Sequence, residues 1–174
     1  MVKSPPSSRR VILTYILIVV VSYPVLNWVL GGSGPIPWVN GAIDALTRSQ
    51  ALVSAGMLRV LGEPVRVRGT LLAGSGFVCN VAQGCNGMSA VTLLLAGLMG
   101  YPTAWRRRLL GLAALVPAIL VVNMVRIAGL YWSGVHHRER FVDMHVYVGQ
   151  VFVIVLTVGL WLAWLSWVSR RDEP

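Results

Sequence analysis

Apolar residues in this chain gather into long runs, separated by short polar or arginine-bearing segments. The first run, Val11 to Leu30, is about 20 residues, which as a helix spans about 30 Å and matches the hydrocarbon thickness of a bilayer. Pro24 predicts a kink within it, and Gly31 to Pro37 ends it. Runs at 85–101, 109–132 and 145–168 predict three further spans. The second is short, at roughly 25 Å, and the third carries Pro117 at mid-membrane. Trp161, Trp164 and Trp167 give the last span an aromatic belt at its inner end.

The outer segment, 31–84, has a different pattern. Val39 to Gly62 has helical periodicity, but Asp44, Arg48 and Arg59 leave only a short apolar centre. That predicts an amphipathic helix on the outer surface or packed against the bundle, not a span. Val65-Arg66-Val67-Arg68 and Phe77-Val78-Cys79-Asn80-Val81 flank the Gly-rich stretch Ala73-Gly74-Ser75-Gly76, which predicts a short β-hairpin. The expected fold is thus an all-α membrane protein of one domain, residues 1–174, with four transmembrane helices plus an outer-face amphipathic helix and a short β-hairpin.

Composition agrees with a chain solvated by membrane lipids. Of its 174 residues 56% are hydrophobic and 12% charged, against roughly 25% charged in soluble domains. The net charge of +9 would suggest nucleic acid if the cations were dispersed. Instead Lys3, Arg9, Arg10, Arg106, Arg107, Arg108, Arg170 and Arg171, eight of the 15 basic residues, border the runs, offset there only by Asp172 and Glu173. This is positive-inside patterning, which excludes a nucleic-acid stripe and places both termini in the cytoplasm. A fifth span over 39–62 would put Arg106 to Arg108 outside. The first run is too long for a cleaved signal and lacks a small-x-small site, so it reads as a retained signal anchor.

With that topology Cys85, Arg126 and His145 fall at the non-cytoplasmic ends of three different spans. Cys85 sits between glycines in Gly84-Cys85-Asn86-Gly87, ahead of an apolar helix whose free N–H groups favour a thiolate. Arg126 lies about 26 Å along its span, just under the outer interface. An arginine there costs at least about 2.5 to 3.5 kcal/mol on insertion, so it is expected to face a partner or cavity. Asn123, at i−3, shares its face and is placed to orient the guanidinium. His145 opens the last span, with Gly149 following at helical spacing. His136 and His137 are rival bases, but they adjoin the solvated stretch Arg138-Glu139-Arg140 and Asp143.

A nucleophile, a cation and a base at one depth support acyl transfer: Cys85 attacks, His145 moves the proton and Arg126 stabilises developing negative charge. Two cysteines, Cys79 and Cys85, are too few for a disulfide framework, and the His and Cys spacing makes a poor metal site. No metal and no cofactor is expected. Two other readings stay open on these residues: a membrane thiol-disulfide oxidoreductase using Cys79 and Cys85, and a non-enzymatic assembly subunit.

The blocks Val81-Ala82-Gln83-Gly84-Cys85-Asn86-Gly87 and Asn123-Met124-Val125-Arg126-Ile127, followed by His145 at the head of the final span, resemble the exosortase/archaeosortase family of membrane-embedded cysteine transpeptidases. The short length and the Cys-Asn-Gly variant are most similar to exosortase H. The resemblance covers about residues 64 to 150. It implies Cys85 as nucleophile, Arg126 as catalytic arginine and His145 as catalytic histidine, with Asn123 and Asn86 in support. It also implies, as partners, exported proteins whose C-terminal sorting signal is a short motif, a transmembrane helix and a basic tail. Cleavage would proceed through a Cys85 thioester at the outer face of the bacterial inner membrane, with transfer to an acceptor amine or to water. Many family members have about eight spans and four are expected here. An edge strand of the hairpin, along Val65 to Arg68, offers a way to pair with the extended motif.

Overall fold

A computed structural model of the chain describes residues 8–32, 34–82 and 84–170. Lys3 and Arg171 to Glu173, which the charge pattern uses, lie outside them, as does Gln83. The elements in order are helix α1 (Ser8–Leu30), helix α2 (Pro37–Val60), strands β1 (Arg66–Arg68), β2 (Leu71–Gly74) and β3 (Phe77–Asn80), helix α3 (Met88–Gly100) and helix α4 (Trp105–His136). A 3-10 turn at Arg138–Arg140, the short α5 (Phe141–Asp143) and a π-helical stretch at Met144–Gln150 then lead into α6 (Val151–Ser169).

Two helical stretches among the described residues, Trp105–His136 and Arg138–Ser169, are long and apolar enough to cross a membrane. Ile16–Leu30 and Met88–Gly100 are shorter apolar helices. The expected span at 85–101 is therefore a helix that starts only at Met88, because Asn86 and Gly87 form the turn that precedes it. Leu13, Leu17 and Val21 on α1, Val121 and Val125 on α4 and Phe152 and Val155 on α6 are exposed, an apolar exterior suited to lipid.

The helices run so that the cationic end and the cysteine end are opposite. Trp164 of α6 donates from Nε1 to the Arg107 carbonyl at 3.3 Å. Its ring meets Tyr101 edge-on, and the Tyr101 hydroxyl lies 3.4 Å from Ser169 Oγ. The start of α4 and the end of α6 thus share one end with Arg106 to Arg108. Arg126 is about 28 Å along α4 from Arg107.

Helix α2 is packed against the bundle along one stripe: Val39, Ile43, Thr47, Gln50, Ser54 and Leu58 recur at three- and four-residue spacing and are all buried. Ala51 and Ala55 beside them are fully buried. These small residues let α4 approach closely enough for Ser54 Oγ to donate to the Met124 carbonyl at 3.0 Å. Two apolar clusters result. One holds Val39, Ile43, Leu94, Ile119 and Val153; the other holds Ala55, Leu58, Leu72, Phe77, Ile127 and Tyr131. Between them, on both α2 and α4, the buried side chains turn polar: Thr47 and Gln50 on one helix, Asn123 on the other.

The expected hairpin is a three-stranded antiparallel meander in the order β1-β2-β3. The Ser75-Gly76 turn, with φ of 49° and 72°, was legible as the Gly-rich connection. The second turn was not: Gly69, at φ 65°, and Thr70 reverse the chain after β1, so Leu71–Gly74 becomes a central strand. The sheet is held on α4 at the cysteine end. The Phe77 ring occupies the space that a side chain at Gly134 would need, and the Tyr131 hydroxyl donates to the Gly74 carbonyl at 2.8 Å.

Candidate active site

Cys85 is placed by the connection from β3 to α3. The Val81 N–H donates to the Thr70 carbonyl at 3.0 Å, prolonging the sheet ladder, and the Cys85 N–H donates to the Ala82 carbonyl at 3.0 Å, closing a turn. Asn86 Oδ1 then accepts from the Met88 N–H at 3.1 Å, satisfying one of the free amides at the start of α3. Gly87 follows at φ 76°, and a Cβ there would lie 3.2 Å from Asn123 Cγ. Both its left-handed backbone and its lack of a side chain are needed for α4 to pass this close.

Asn123 of α4 holds that turn. Its Nδ2 donates to the Cys85 carbonyl at 2.9 Å and to Gln50 Oε1 at 3.1 Å. Its Oδ1 accepts from Arg126 at 3.3 Å. Gln50 Nε2 in turn donates to the Asn86 carbonyl at 3.0 Å. Asn86 Nδ2 donates to Thr47 Oγ1 at 3.2 Å, and Thr47 donates to the Ile43 carbonyl at 2.7 Å. Gln50 and Asn123 are fully buried and Asn86 nearly so. Each amide of this set has partners for donor and acceptor alike, the condition under which buried polar groups are tolerated.

His145 arrives from the π-helical stretch ahead of α6, and its Nε2 lies 3.7 Å from Cys85 Sγ. The ring of Phe141 stacks on it, with planes 13° apart and centroids 6.0 Å apart. Gly149, one turn on, is where Arg126 crosses: a Cβ there would sit 2.9 Å from Arg126 Nε. That Nε is buried without a hydrogen-bond partner. The structure thus brings Cys85, Arg126, His145, Asn123 and Asn86 into one assembly. It separates the rival histidines: His136 pairs with Glu63 at 2.7 Å and packs on Trp132, and His137 also lies against Trp132.

Opposed influences act on the cysteine. Burial pushes the Cys85 thiol above its ordinary pKa, while the charge of Arg126 and a hydrogen bond from it draw the pKa down. The net direction is upward, contrary to the expectation from the helix terminus, because Cys85 is half-buried and stands three residues ahead of α3. Cys79 on β3 is raised too, first by burial and then by its proximity to Cys85. Both cysteines are free thiols. They border a cavity of ≈ 250 Å³ that also reaches His145, Phe141, Ile127 and Leu130. Arg126 borders a second cavity, ≈ 400 Å³, with Gly84, Gly87, Ser89 and Gln150. Among the described residues no three His, Cys, Asp or Glu side chains are grouped to hold a metal ion.

A thiol with an imidazole at one side and a guanidinium at the other can undergo proton transfer and attack a carbonyl, with the cation near the oxygen that gains charge. Asn86 is committed elsewhere: both ends of its amide are used in holding the turn. Gln50 and Thr47 were missed by sequence reasoning. Their signal was present, since they interrupt the buried stripe of α2 at the same spacing as Val39 and Ile43.

A family model described as transmembrane exosortase, of the EpsH type, matches residues 20–162. The chain therefore belongs to the transmembrane exosortase family, and its function is of the exosortase type. No curated protein and no solved structure matches it.

Two outcomes follow from this geometry. Alkylation of Cys85, followed by mass in a Cys79→Ser background, should rise with pH through a midpoint above that of an unperturbed thiol. Arg126→Gln should move the midpoint higher still; a downward or absent shift would contradict the contact between the two groups. Gln50→Met should cost about 1–3 kcal/mol of stability, because it strands an Asn123 N–H and the Asn86 carbonyl in the interior. Thermal unfolding in detergent measures this, and an unchanged midpoint would contradict the network.

Proposed function

We propose that this protein is a membrane-embedded cysteine protease and transpeptidase that cleaves a C-terminal sorting signal from exported proteins. The observation that carries the reading is the meeting of three side chains from distant parts of the chain: Cys85 Sγ stands 3.7 Å from His145 Nε2, and the Arg126 guanidinium is close enough for its charge to act on the thiol. Membership of the exosortase family supports it.

In this reading His145 takes the Cys85 thiol proton and the sulfur attacks the scissile carbonyl. The oxygen of the tetrahedral intermediate takes the negative charge and is met by the Arg126 guanidinium, held at Asn123 Oδ1. Collapse breaks the C–N bond, His145 protonates the departing amine, and a thioester remains on Cys85. An acceptor amine or water, deprotonated by His145, then attacks the thioester and restores the thiol. Asn123 keeps the Cys85 backbone in place and aims Arg126.

In this account the chain crosses the bacterial inner membrane four times, along α1, α3, α4 and α6, with Cys85 in the turn ahead of α3. Both termini are cytoplasmic and the site faces outward. The separation of the arginine end from the cysteine end supports that orientation. The substrate's own apolar helix lies alongside, its basic tail inward and its motif at Cys85.

Cys79 shares the cavity with Cys85, which favours a second reading as a thiol-disulfide oxidoreductase. Cys79→Ser separates the two, since full processing of substrate by that variant is expected and loss would favour the disulfide reading. The primary test co-expresses the enzyme with C-terminally tagged exported proteins that end in a motif, an apolar helix and a basic tail. Cys85→Ala should insert normally and leave the tag attached, at least about 10³-fold below the unaltered enzyme. Normal tag removal by that variant would end the proposal.

A further inference from the structure

The two free edges of the sheet differ in a way that bears on how a substrate is held. Strand order β1-β2-β3 leaves β1 and β3 at the edges. Edge strands ordinarily carry charge or proline against unwanted pairing. β1 has Arg66 and Arg68, both exposed, whereas β3 reads Phe77-Val78-Cys79-Asn80, with neither.

The register fixes which groups β3 offers. Gly74 pairs with Phe77 across the two-residue turn and Leu72 with Cys79. The bond from the Val81 N–H to the Thr70 carbonyl continues the same phase. Phe77, Cys79 and Val81 therefore turn their backbone groups to β2, and Val78 and Asn80 turn theirs to the free edge. The Asn80 carbonyl is occupied by the Ala82 N–H at 2.9 Å. What faces outward is the Val78 N–H, the Val78 carbonyl and the Asn80 N–H, the set that one residue of an added strand and the residue two positions along it would use.

This edge borders the cavity of Cys85 and His145. Val78, Cys79 and Asn80 line it together with Leu130 and Phe141, and Cys85 is returned to it by the turn that its N–H closes on Ala82. We propose that β3 is the docking edge for the substrate: a short extended peptide segment adds to the sheet as a fourth strand, its backbone bonded at Val78 and Asn80. Alternate side chains of that segment enter the cavity, and its lining by Val81, Ile127, Leu130 and Phe141 selects an apolar one. This rests on the peptidase reading, and it moves the pairing edge from β1, expected from sequence, to β3.

Proline at a non-bonded edge position removes an outward N–H and leaves the sheet ladder intact. Val78→Pro does this on β3. Val67→Pro does it on β1, because Arg66 and Arg68 fill the positions that bond to β2 in the register Arg66↔Ala73 and Arg68↔Leu71. The probe is a tagged exported protein with a motif, apolar helix and basic tail that the unaltered enzyme processes. Its capture in detergent by Cys85→Ala enzyme is compared with capture by the same enzyme carrying either proline, each checked for an unchanged unfolding midpoint. Capture about tenfold weaker with Val78→Pro and unchanged with Val67→Pro is expected. Equal capture by both, with processing by the unaltered enzyme intact, would overturn the β3 edge alone. Weakening by Val67→Pro alone would return the site to β1. Neither processing nor capture of any such protein would overturn the peptidase reading and this inference together.

Discussion

The carboxamide of Asn123 is the joint on which the site depends. Its two N–H bonds go to acceptors on different segments, the Cys85 carbonyl and Gln50 Oε1, while its oxygen takes the Arg126 guanidinium. Reversing the amide would set its oxygen against two acceptors and its N–H₂ against a cationic donor, so chemistry allows one orientation. In a fully buried position that constraint is strong, because a stranded donor or acceptor costs about 1–3 kcal/mol. One side chain thereby fixes the turn that carries the sulfur and the direction of the charge beside it. Gln50 and Thr47 extend the constraint to α2, so a helix with no reacting group still determines where Cys85 sits.

The same burial sets a conflict at the cysteine. Desolvation disfavours a thiolate and Arg126 favours one. A sulfur that stays protonated until an imidazole takes its proton suits a site half sunk in apolar surroundings. His145 at 3.7 Å is near enough to be that acceptor. Gly149 leaves room for Arg126 to lie across the start of the last helix, and the π-helical stretch there turns His145 toward the sulfur.

Much of this was legible in the sequence for a definite reason. Arginine clusters and run lengths are long-range signals that survive without knowledge of packing, and they brought Cys85, Arg126 and His145 to one end. Asn123 was found because i and i−3 share a helix face. The rest depended on tertiary contacts. Gln50 was hidden because nothing local says that a glutamine in α2 will meet an asparagine 73 positions on. Leu71 to Gly74 went unread as a strand because Gly69-Thr70 is a weaker turn signal than Ser75-Gly76. The raised thiol pKa was missed because a helix terminus is visible in sequence and burial is not.

The central claim is that an acyl group passes through Cys85. Intact-mass measurement of the enzyme, quenched in acid during turnover of a processed substrate, tests it most directly. An added mass equal to the substrate's N-terminal fragment less one water is expected, mapped to Cys85 and released by neutral hydroxylamine as a thioester should be. Substrate cleavage that continues with no such adduct at any quench time would contradict it.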